Sequence, residues 1–204
     1  MKYNPNLFTP LNLNHAKDIV ITPDPNDPLK FEKFTEEAIR IISDENIINE
    51  TSYVVDFGCG MGRMSKAIID KFNCEVVGID INLSMLKLAT IYVANHNKFV
   101  TCNKVEQHNT IDVCLSMFVL QHVLEPKKEI EAIADIVKPN GYFMLLNEPE
   151  LRLVPGGQAE DNSIVWYTDG FNIFSEVEKY FNKVKSVPFL NTEYNFIIYR
   201  KKPI

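Results

Sequence analysis

The segment Val54-Val55-Asp56-Phe57-Gly58-Cys59-Gly60-Met61-Gly62-Arg63 decides the fold of this 204-residue chain. Its first half is typical of a buried strand that ends in an acid, and glycine then occupies every second position. Only glycine lets a backbone turn this sharply and lets a ligand lie directly against it. A helix is predicted from about Arg63, so its first N–H groups point into the turn. Strand, turn and helix together predict a nucleotide-sized binding site.

Strand and helix patterns alternate along most of the chain. Strands are predicted at 52–57, 75–80, 99–102, 112–117 and 142–146. Helices are predicted at 64–72 and 83–96. A third helix begins at Pro126, includes a buried Val137 and ends at Pro139-Asn140-Gly141. This alternation implies βαβ units and a parallel sheet covered by helices on both faces. Near the end, a possible capping box of Ser175 and Glu178 predicts a short helix. Two strands follow, at 184–187 and 195–200, and too few residues separate them for a crossover, so they should pair antiparallel.

The fold class is therefore α/β: a doubly wound, mostly parallel seven-stranded sheet with an antiparallel last strand and helices on both faces. Residues 1–50 differ from the rest because five prolines interrupt the first 29 positions. Apolar residues at helical spacing between Phe31 and Ile42 then predict one helix. We expect residues 1–50 to form a lid or cap segment and residues 51–204 to form the main domain.

The amino-acid composition of the chain limits the kinds of molecule that it is expected to bind. The formal net charge is -6 and the sequence pI is about 5.3, which argues against non-specific binding to nucleic acid or to an anionic membrane. The four cysteines lack the spacing of a metal site, so we expect no bound metal and reduced thiols in a cytoplasmic protein. Neither a signal peptide nor a membrane-spanning stretch is visible, so no membrane partner is expected.

Asp80 is as informative about the expected ligand as the glycines are. It closes the second predicted strand, and in a doubly wound sheet that strand end lies beside the glycine turn. A carboxylate there can accept both hydroxyls of a ribose, so an adenosine-bearing cofactor is indicated. The spacing GxGxG is a poor match for the dinucleotide fingerprint GxGxxG, and a P-loop is excluded because no GK[ST] follows.

Four segments in order resemble the class I S-adenosylmethionine-dependent methyltransferases. They are Asp56–Gly62, Gly78–Leu86, Asp112–His122 and Val137–Leu145, and together they span roughly residues 52 to 146. The resemblance implies a Rossmann-like methyltransferase fold with S-adenosylmethionine as cofactor and S-adenosylhomocysteine as product. It further implies that a methyl group is transferred to a small-molecule acceptor by in-line displacement.

The resemblance also implies a set of cofactor-binding residues. The backbone of the glycine turn would face the methionine part, Asp80 would bind the ribose, and Ile81 would cover the adenine. The implied set is Asp56, Gly58, Cys59, Gly60, Gly62, Asp80, Ile81, Cys102, Asn103, Ser116 and Met117. For Asp56, we favour a role in holding backbone amides under the turn over direct contact with the cofactor. Arg63 is interpreted as a surface or helix residue rather than a clamp for a carboxylate.

Three residues are candidates for a general base, which is needed only if the acceptor is an O–H or a protonated amine. His122 is the first, although it could equally be a helix-start residue that only shapes the pocket. Glu148 and Tyr167 follow, and Tyr167 with Trp166 could wall an acceptor pocket or belong to the core.

Two other functions stay open at this point. The domain could bind the cofactor, or only a partner, without turnover; such a module needs no acceptor pocket. A nicotinamide-dependent oxidoreductase has the same sheet but needs a dinucleotide-sized groove, and the glycine spacing counts against it. Sugar, lipid-precursor, amine and carboxylate acceptors are all compatible with the sequence, as is any oligomeric state.

Overall fold

The computed structural model describes residues 8–94, 97–103, 110–148 and 171–203. The chain divides into two compact units, and the described residues up to 103 belong to one and those from 110 onward to the other. No helix among these described residues is both long and apolar enough to cross a membrane.

The first unit contains three parallel strands and four helices. In chain order they are α1 (Leu13–Val20), α2 (Lys30–Asp44), β1 (Tyr53–Phe57), α3 (Arg63–Phe72), β2 (Glu75–Ile79), α4 (Leu83–Tyr92) and β3 (Phe99–Cys102). Strand β2 pairs with β1 on one side and with β3 on the other, in parallel. The buried strand residues are mostly Val and Ile, whose branched side chains suit a sheet covered on both faces.

The second unit contains four strands and two helices in its described residues. They are β4 (Ile111–Met117), α5 (Pro126–Ile136), β5 (Val137–Leu146), α6 (Ile173–Tyr180), β6 (Phe181–Pro188) and β7 (Asn195–Lys201), with a short 3₁₀ helix at Leu120–His122. Strands β4 and β5 are parallel, whereas β7 runs antiparallel to both β5 and β6. The predicted antiparallel pairing of the last two strands is confirmed.

The seven strands follow the order β3-β2-β1-β4-β5-β7-β6. Only β7 opposes the direction of its neighbours, so the sheet is mostly parallel with an antiparallel last strand. The order reverses after β1, as it does in doubly wound sheets, where ligands bind outside the carboxyl ends of the strands. The predicted α/β fold class is confirmed.

Two element boundaries were predicted wrongly near α5 and α6. Helix α5 ends at Ile136, and Val137 begins β5 with extended backbone angles instead of extending the helix. The register between β4 and β5 shifts over this stretch, because residues 138–141 form an irregularity that opposes Asp112. Helix α6 begins two residues before Ser175, and Asn172 is its N-cap: its side chain accepts a hydrogen bond from the Ser175 N–H at 2.9 Å.

Helix α4 is also shorter than predicted. Its last residue is Tyr92, where a helix through His96 was expected, and His96 itself lies outside the described residues. The side chain of Val93, just after the helix, packs against the glycine turn.

Candidate functional site

The glycine turn after β1 has a left-handed backbone at three positions. Gly58, Gly60 and Gly62 have φ angles of 73°, 53° and 83°. A Cβ on Gly62 would lie 2.7 Å from a methyl of Val93, and one on Gly60 would lie 3.0 Å from a methyl of Val20. Both the backbone angle and the surrounding space therefore require glycine at the last two positions. The turn is packed closely by α1 on one side and by the end of α4 on another.

Four N–H groups of this turn are bonded within the protein. Gly58 and Cys59 both donate to the carbonyl of Ile79 at 2.8 Å, and Gly62 donates to the carbonyl of Cys59 at 2.9 Å. Gly60 donates to the Asp80 carboxylate at 2.9 Å. A turn that binds a pyrophosphate presents free N–H groups to it. Because these four amides are already bonded, the turn offers few donors to a phosphate and suits a ligand without one.

Asp80 lies at the carboxyl end of β2, within hydrogen-bond distance of the turn. One of its carboxylate oxygens accepts from the Gly60 N–H and the other accepts from the Asn82 N–H at 2.8 Å. Burial raises the pKa of this carboxyl, while the two backbone hydrogen bonds lower it. Each oxygen keeps a second lone pair for a further donor. The carboxylate is thus held rigidly and can still accept two hydroxyl groups.

Ile81 and the end of β3 complete this group of predicted residues. The Ile81 side chain is large, apolar and 72% exposed, so it is accessible to a ligand bound beside Asp80. Cys102 is half-buried at the end of β3, and its carbonyl accepts the Asp80 N–H at 3.4 Å. Asn103 is exposed directly after it.

Asp56 lies under the turn and bonds to helix α3. One carboxylate oxygen accepts from the N–H of Ser65 at 3.0 Å and from its hydroxyl at 2.7 Å. The side chain is buried, and this burial raises the pKa of the carboxyl to about 6 against the opposing effect of the Ser65 hydrogen bonds. Asp56 thereby satisfies a first-turn amide of α3 that the helix cannot pair internally.

Arg63 is a helix residue, as one of the two interpretations of the sequence predicted. It is buried, so the other interpretation, a surface residue, is wrong. Its guanidinium donates to the Thr35 hydroxyl at 2.9 Å and lies 5.7 Å from the centre of the Phe31 ring. Burial lowers the pKa of the guanidinium to about 10, which leaves it charged at neutral pH. Both partners are on α2, so Arg63 fixes that helix to the end of the glycine turn.

Asn82 was not identified from the sequence, and its side chain has three kinds of partner. Its carbonyl oxygen caps α4 by accepting from the Ser84 and Met85 N–H groups. Its amide donates to the Phe8 carbonyl at 3.1 Å and to the Thr9 hydroxyl at 2.9 Å. The residue therefore joins the N-terminal segment to the backbone that carries Asp80. Its N-cap position was the only available signal, since Asn favours that position.

The second unit contributes the remaining described residues at the ends of β4 and β5. Ser116 is fully buried in β4, next to a partly buried Met117. His122 ends the 3₁₀ helix, where its N–H donates to the carbonyl of Val119 at 2.8 Å. Glu148 is buried two residues beyond β5, and the phenol of Tyr194 donates to its carboxylate at 3.3 Å. Tyr167 and Trp166 lie outside the described residues.

Three further buried polar atoms lie near or just after the carboxyl ends of β4 and β5. The Ser116 hydroxyl, the Gln121 side-chain carbonyl and the Asn147 side-chain carbonyl have no hydrogen-bond partner among the described residues. Gln121 and Asn147 follow β4 and β5 closely, at the carboxyl ends of these parallel strands. Buried polar groups are rarely left unpaired in folded proteins, so these atoms indicate a ligand or water at this edge.

The chain is similar to known proteins in both sequence and fold. Residues 31–197 match the model of the family described as "Methyltransferase domain". A ubiquinone biosynthesis O-methyltransferase from Colwellia psychrerythraea is 29% identical over 134 residues, which cover 55% of this chain and 54% of that protein. This chain thus spans about half the length of that relative.

Solved structures show the same fold at low sequence identity. An S-adenosylmethionine-dependent methyltransferase from Aquifex aeolicus superposes with a TM-score of 0.65 at 17% identity, covering 92% of this chain and 96% of that one. The [4+2]-cyclase SpnF superposes with a TM-score of 0.63 at 12% identity, covering 83% and 81%. A shared fold alone therefore does not decide the reaction. The family match covers most of the chain, and on that ground this protein belongs to the methyltransferase-domain family.

Proposed function

We propose that this protein is an S-adenosylmethionine-dependent methyltransferase that acts on a small-molecule acceptor. The observation that carries the proposal is the hydrogen bonding of the glycine turn, whose amides are occupied by Ile79, Cys59 and Asp80. That turn suits an adenosine cofactor that lacks a pyrophosphate. Membership of the methyltransferase-domain family supports the same choice.

The residues around the turn fit S-adenosylmethionine. Asp80 would bind the two ribose hydroxyls, because each of its oxygens accepts only one backbone hydrogen bond in the contacts described. The exposed side chain of Ile81 would cover the adenine. The carbonyl groups of Gly58, Cys59 and Gly60 would face the methionine part, with Asn103 offering its side-chain carbonyl to the adenine amino group. When bound, the cofactor supplies an activated methyl group, so the protein need not generate a strong electrophile.

The rest of the predicted site has indirect roles or belongs to the second unit. Asp56 and Gly62 would shape the turn, and Cys102 would place Asn103. In the second unit, Ser116 and Met117 would lie by the methionine amino group and the reacting sulfur. We further propose that residues 1–50 act as a lid, since the N-terminal segment bonds to Asn82 in the first unit.

The acceptor is proposed to be a small molecule, since the relatives carry names such as ubiquinone biosynthesis O-methyltransferase. The protein's contribution to rate would be to hold the acceptor in line with the transferred methyl group, which can supply about 7–11 kcal/mol in favourable cases. For an O–H acceptor a base is useful, and His122 and Glu148 are the described candidates, with Tyr167 as a third. The acidic composition and the lack of any membrane-spanning helix in the described residues agree with a cytoplasmic enzyme.

A cofactor-binding module without turnover is the less favoured alternative. Such a module needs the glycine turn but no acceptor site. The buried Glu148 and the unpartnered side-chain carbonyls of Gln121 and Asn147 would have no use in it. Their burial favours an enzyme, because burying a polar group without a partner costs free energy.

Isothermal titration with two ligands tests the cofactor assignment. We expect S-adenosylhomocysteine to bind with one site per chain, and to bind roughly tenfold or more tightly than NAD. The physical reason is that four of the turn amides are already bonded and cannot donate to the NAD pyrophosphate. Tighter binding of NAD, or no binding of S-adenosylhomocysteine, would contradict the proposal.

A further inference from the structure

Glu148 and Tyr194 lie just beyond the paired residues of β5 and β7. Leu146 lies opposite Phe196 in the last antiparallel pair. Counting two residues outward from this pair brings Glu148, after the end of β5, level with Tyr194, which immediately precedes β7. The hydrogen bond from the Tyr194 phenol to the Glu148 carboxylate, at 3.3 Å, follows from this register.

A third residue, Phe118, holds Tyr194 from the end of β4. The two ring centroids are 5.0 Å apart with the rings nearly perpendicular, an arrangement that aromatic pairs favour. Phe118 has a φ of 58°, which is costly for a bulky side chain, and its N–H donates to the Leu146 carbonyl at 2.6 Å. This hydrogen bond ties the strained residue to β5. Strain of this kind persists only where surrounding contacts enforce it, and it is concentrated at functional sites.

The chemistry of this edge is rich in hydrogen-bond acceptors. Glu148 supplies a carboxylate, while Gln121 and Asn147 supply buried carbonyl oxygens without a partner among the described residues. A carboxylate repels a second anion nearby and attracts a cation or an O–H donor. An acceptor molecule with a hydroxyl or an ammonium group would satisfy these atoms, whereas an anionic one would not.

We propose that Tyr194 is a positioning residue which orients Glu148 toward an uncharged or cationic acceptor that donates a hydrogen bond. The proposal rests on the proposed methyltransferase function and narrows its substrate class. In it, the Glu148 carboxylate accepts a hydrogen bond from the O–H or N–H of the acceptor. The phenol of Tyr194 holds the carboxylate, and Phe118 holds the phenol.

Three phenols of similar size test this substrate class. They are tyramine, which is cationic, 4-ethylphenol, which is neutral, and 4-hydroxyphenylacetate, which is anionic. Their binding to the protein saturated with S-adenosylhomocysteine is measured by ligand-observed NMR titration. We expect the anion to bind roughly tenfold or more weakly than tyramine, because it meets the Glu148 carboxylate.

Three variants then assign the effect to particular atoms. Glu148→Gln should abolish the preference for tyramine over the anion. Tyr194→Phe keeps the ring against Phe118 but loses the hydrogen bond, so tyramine should bind roughly three- to tenfold more weakly. Tyr180→Phe is the matched control, since that phenol also donates to a glutamate, Glu131, at 3.1 Å, on helices α5 and α6. It should leave the phenol affinities unchanged.

The affinity for S-adenosylhomocysteine separates the two levels of the proposal. All three variants should bind it as the wild type does, which also shows that they are folded. The substrate-class inference is overturned if 4-hydroxyphenylacetate binds as tightly as tyramine, if no phenol binds, or if Tyr194→Phe behaves like Tyr180→Phe. Failure of the wild type to bind S-adenosylhomocysteine would instead reject the methyltransferase function itself.

Discussion

The candidate residues of the two units differ in kind. In the first unit the backbone dominates: three left-handed glycines and a set of occupied amides define the turn, with Asp80 as the principal side chain. In the second unit side chains dominate, namely Glu148, Tyr194 and Phe118, together with buried carbonyl oxygens. A site made of backbone permits few sequences, whereas one made of side chains can change its specificity without changing the fold.

The largest expected effect comes from filling the space at Gly62. In Gly62→Ala the Cβ would lie 2.7 Å from Val93 at a φ of 83°, so the substitution combines strain and overpacking. Each is worth about 1–3 kcal/mol of unfolding free energy. Urea denaturation should show a strong loss of stability, and the folded protein should bind S-adenosylhomocysteine more weakly.

Gly141 in the second unit provides the control for this substitution. Its Cβ would lie 2.9 Å from the backbone carbonyl oxygens of Asp112 and Lys138, so Gly141→Ala should also be destabilising. Because Gly141 is in the bulge of β5, cofactor affinity measured on the folded protein should not change. If Gly62→Ala and Gly141→Ala lost equal affinity for S-adenosylhomocysteine, the assignment of cofactor binding to the glycine turn would be contradicted.

The next largest effect concerns the pH dependence of stability in the first unit. Burial raises the pKa of Asp56 to about 6, so between pH 4 and pH 6 the native state binds more protons than the unfolded state. The stability of the wild type should therefore fall as pH rises through that window and level off above it. Asp56→Asn cannot ionise and should lack this component.

The size of this component follows from the shift of the Asp56 pKa. About two pH units at 1.36 kcal/mol each give up to about 3 kcal/mol between pH 4 and pH 7. Chemical denaturation at several pH values, with the exposed Asp70→Asn as reference, measures it. The same pH dependence in wild type and Asp56→Asn would show that the buried carboxyl is not its origin.

A smaller loss of stability is expected when either of two helix caps, one in each unit, is removed. Asn82 caps α4 and also holds the N-terminal segment, whereas Asn172 caps α6 through Ser175. Each change to Ala should cost about 1 kcal/mol of stability through the lost cap. Only Asn82→Ala should also weaken binding of S-adenosylhomocysteine, since its side chain ties the N-terminal segment to the backbone that carries Asp80. A thermal melt and a titration on both variants test the difference.

The sequence predicted most of the first unit correctly because its signals are local. Alternating apolar runs located the strands, and glycine spacing with an acid at the next strand end located the turn. The errors near α5 and α6 were also local. Val137 continues the helical spacing of Ile133, which favoured a helix although its branched side chain suits a strand, and Ser175 competed with Asn172 for the role of cap.

The contact between Glu148 and Tyr194 could not be predicted in the same way. Tyr194 approaches Glu148 because two antiparallel strands pair in one particular register, and the residues are 46 positions apart in sequence. Nothing in the local pattern around Tyr194 marks that contact. Likewise, the strain at Phe118 and the burial of Arg63 depend on packing between distant elements, which spacing alone does not show.

Titration of S-adenosylhomocysteine into Asp80→Asn and Glu148→Gln tests the central claim most directly. Both changes remove one negative charge from a carboxylate of nearly the same shape, one in each unit. We predict that Asp80→Asn lowers the affinity roughly tenfold or more, because a ribose acceptor is lost, while Glu148→Gln stays within about twofold of the wild type. An unchanged affinity in Asp80→Asn, or a larger loss in Glu148→Gln, would contradict the assignment of the cofactor to the glycine turn.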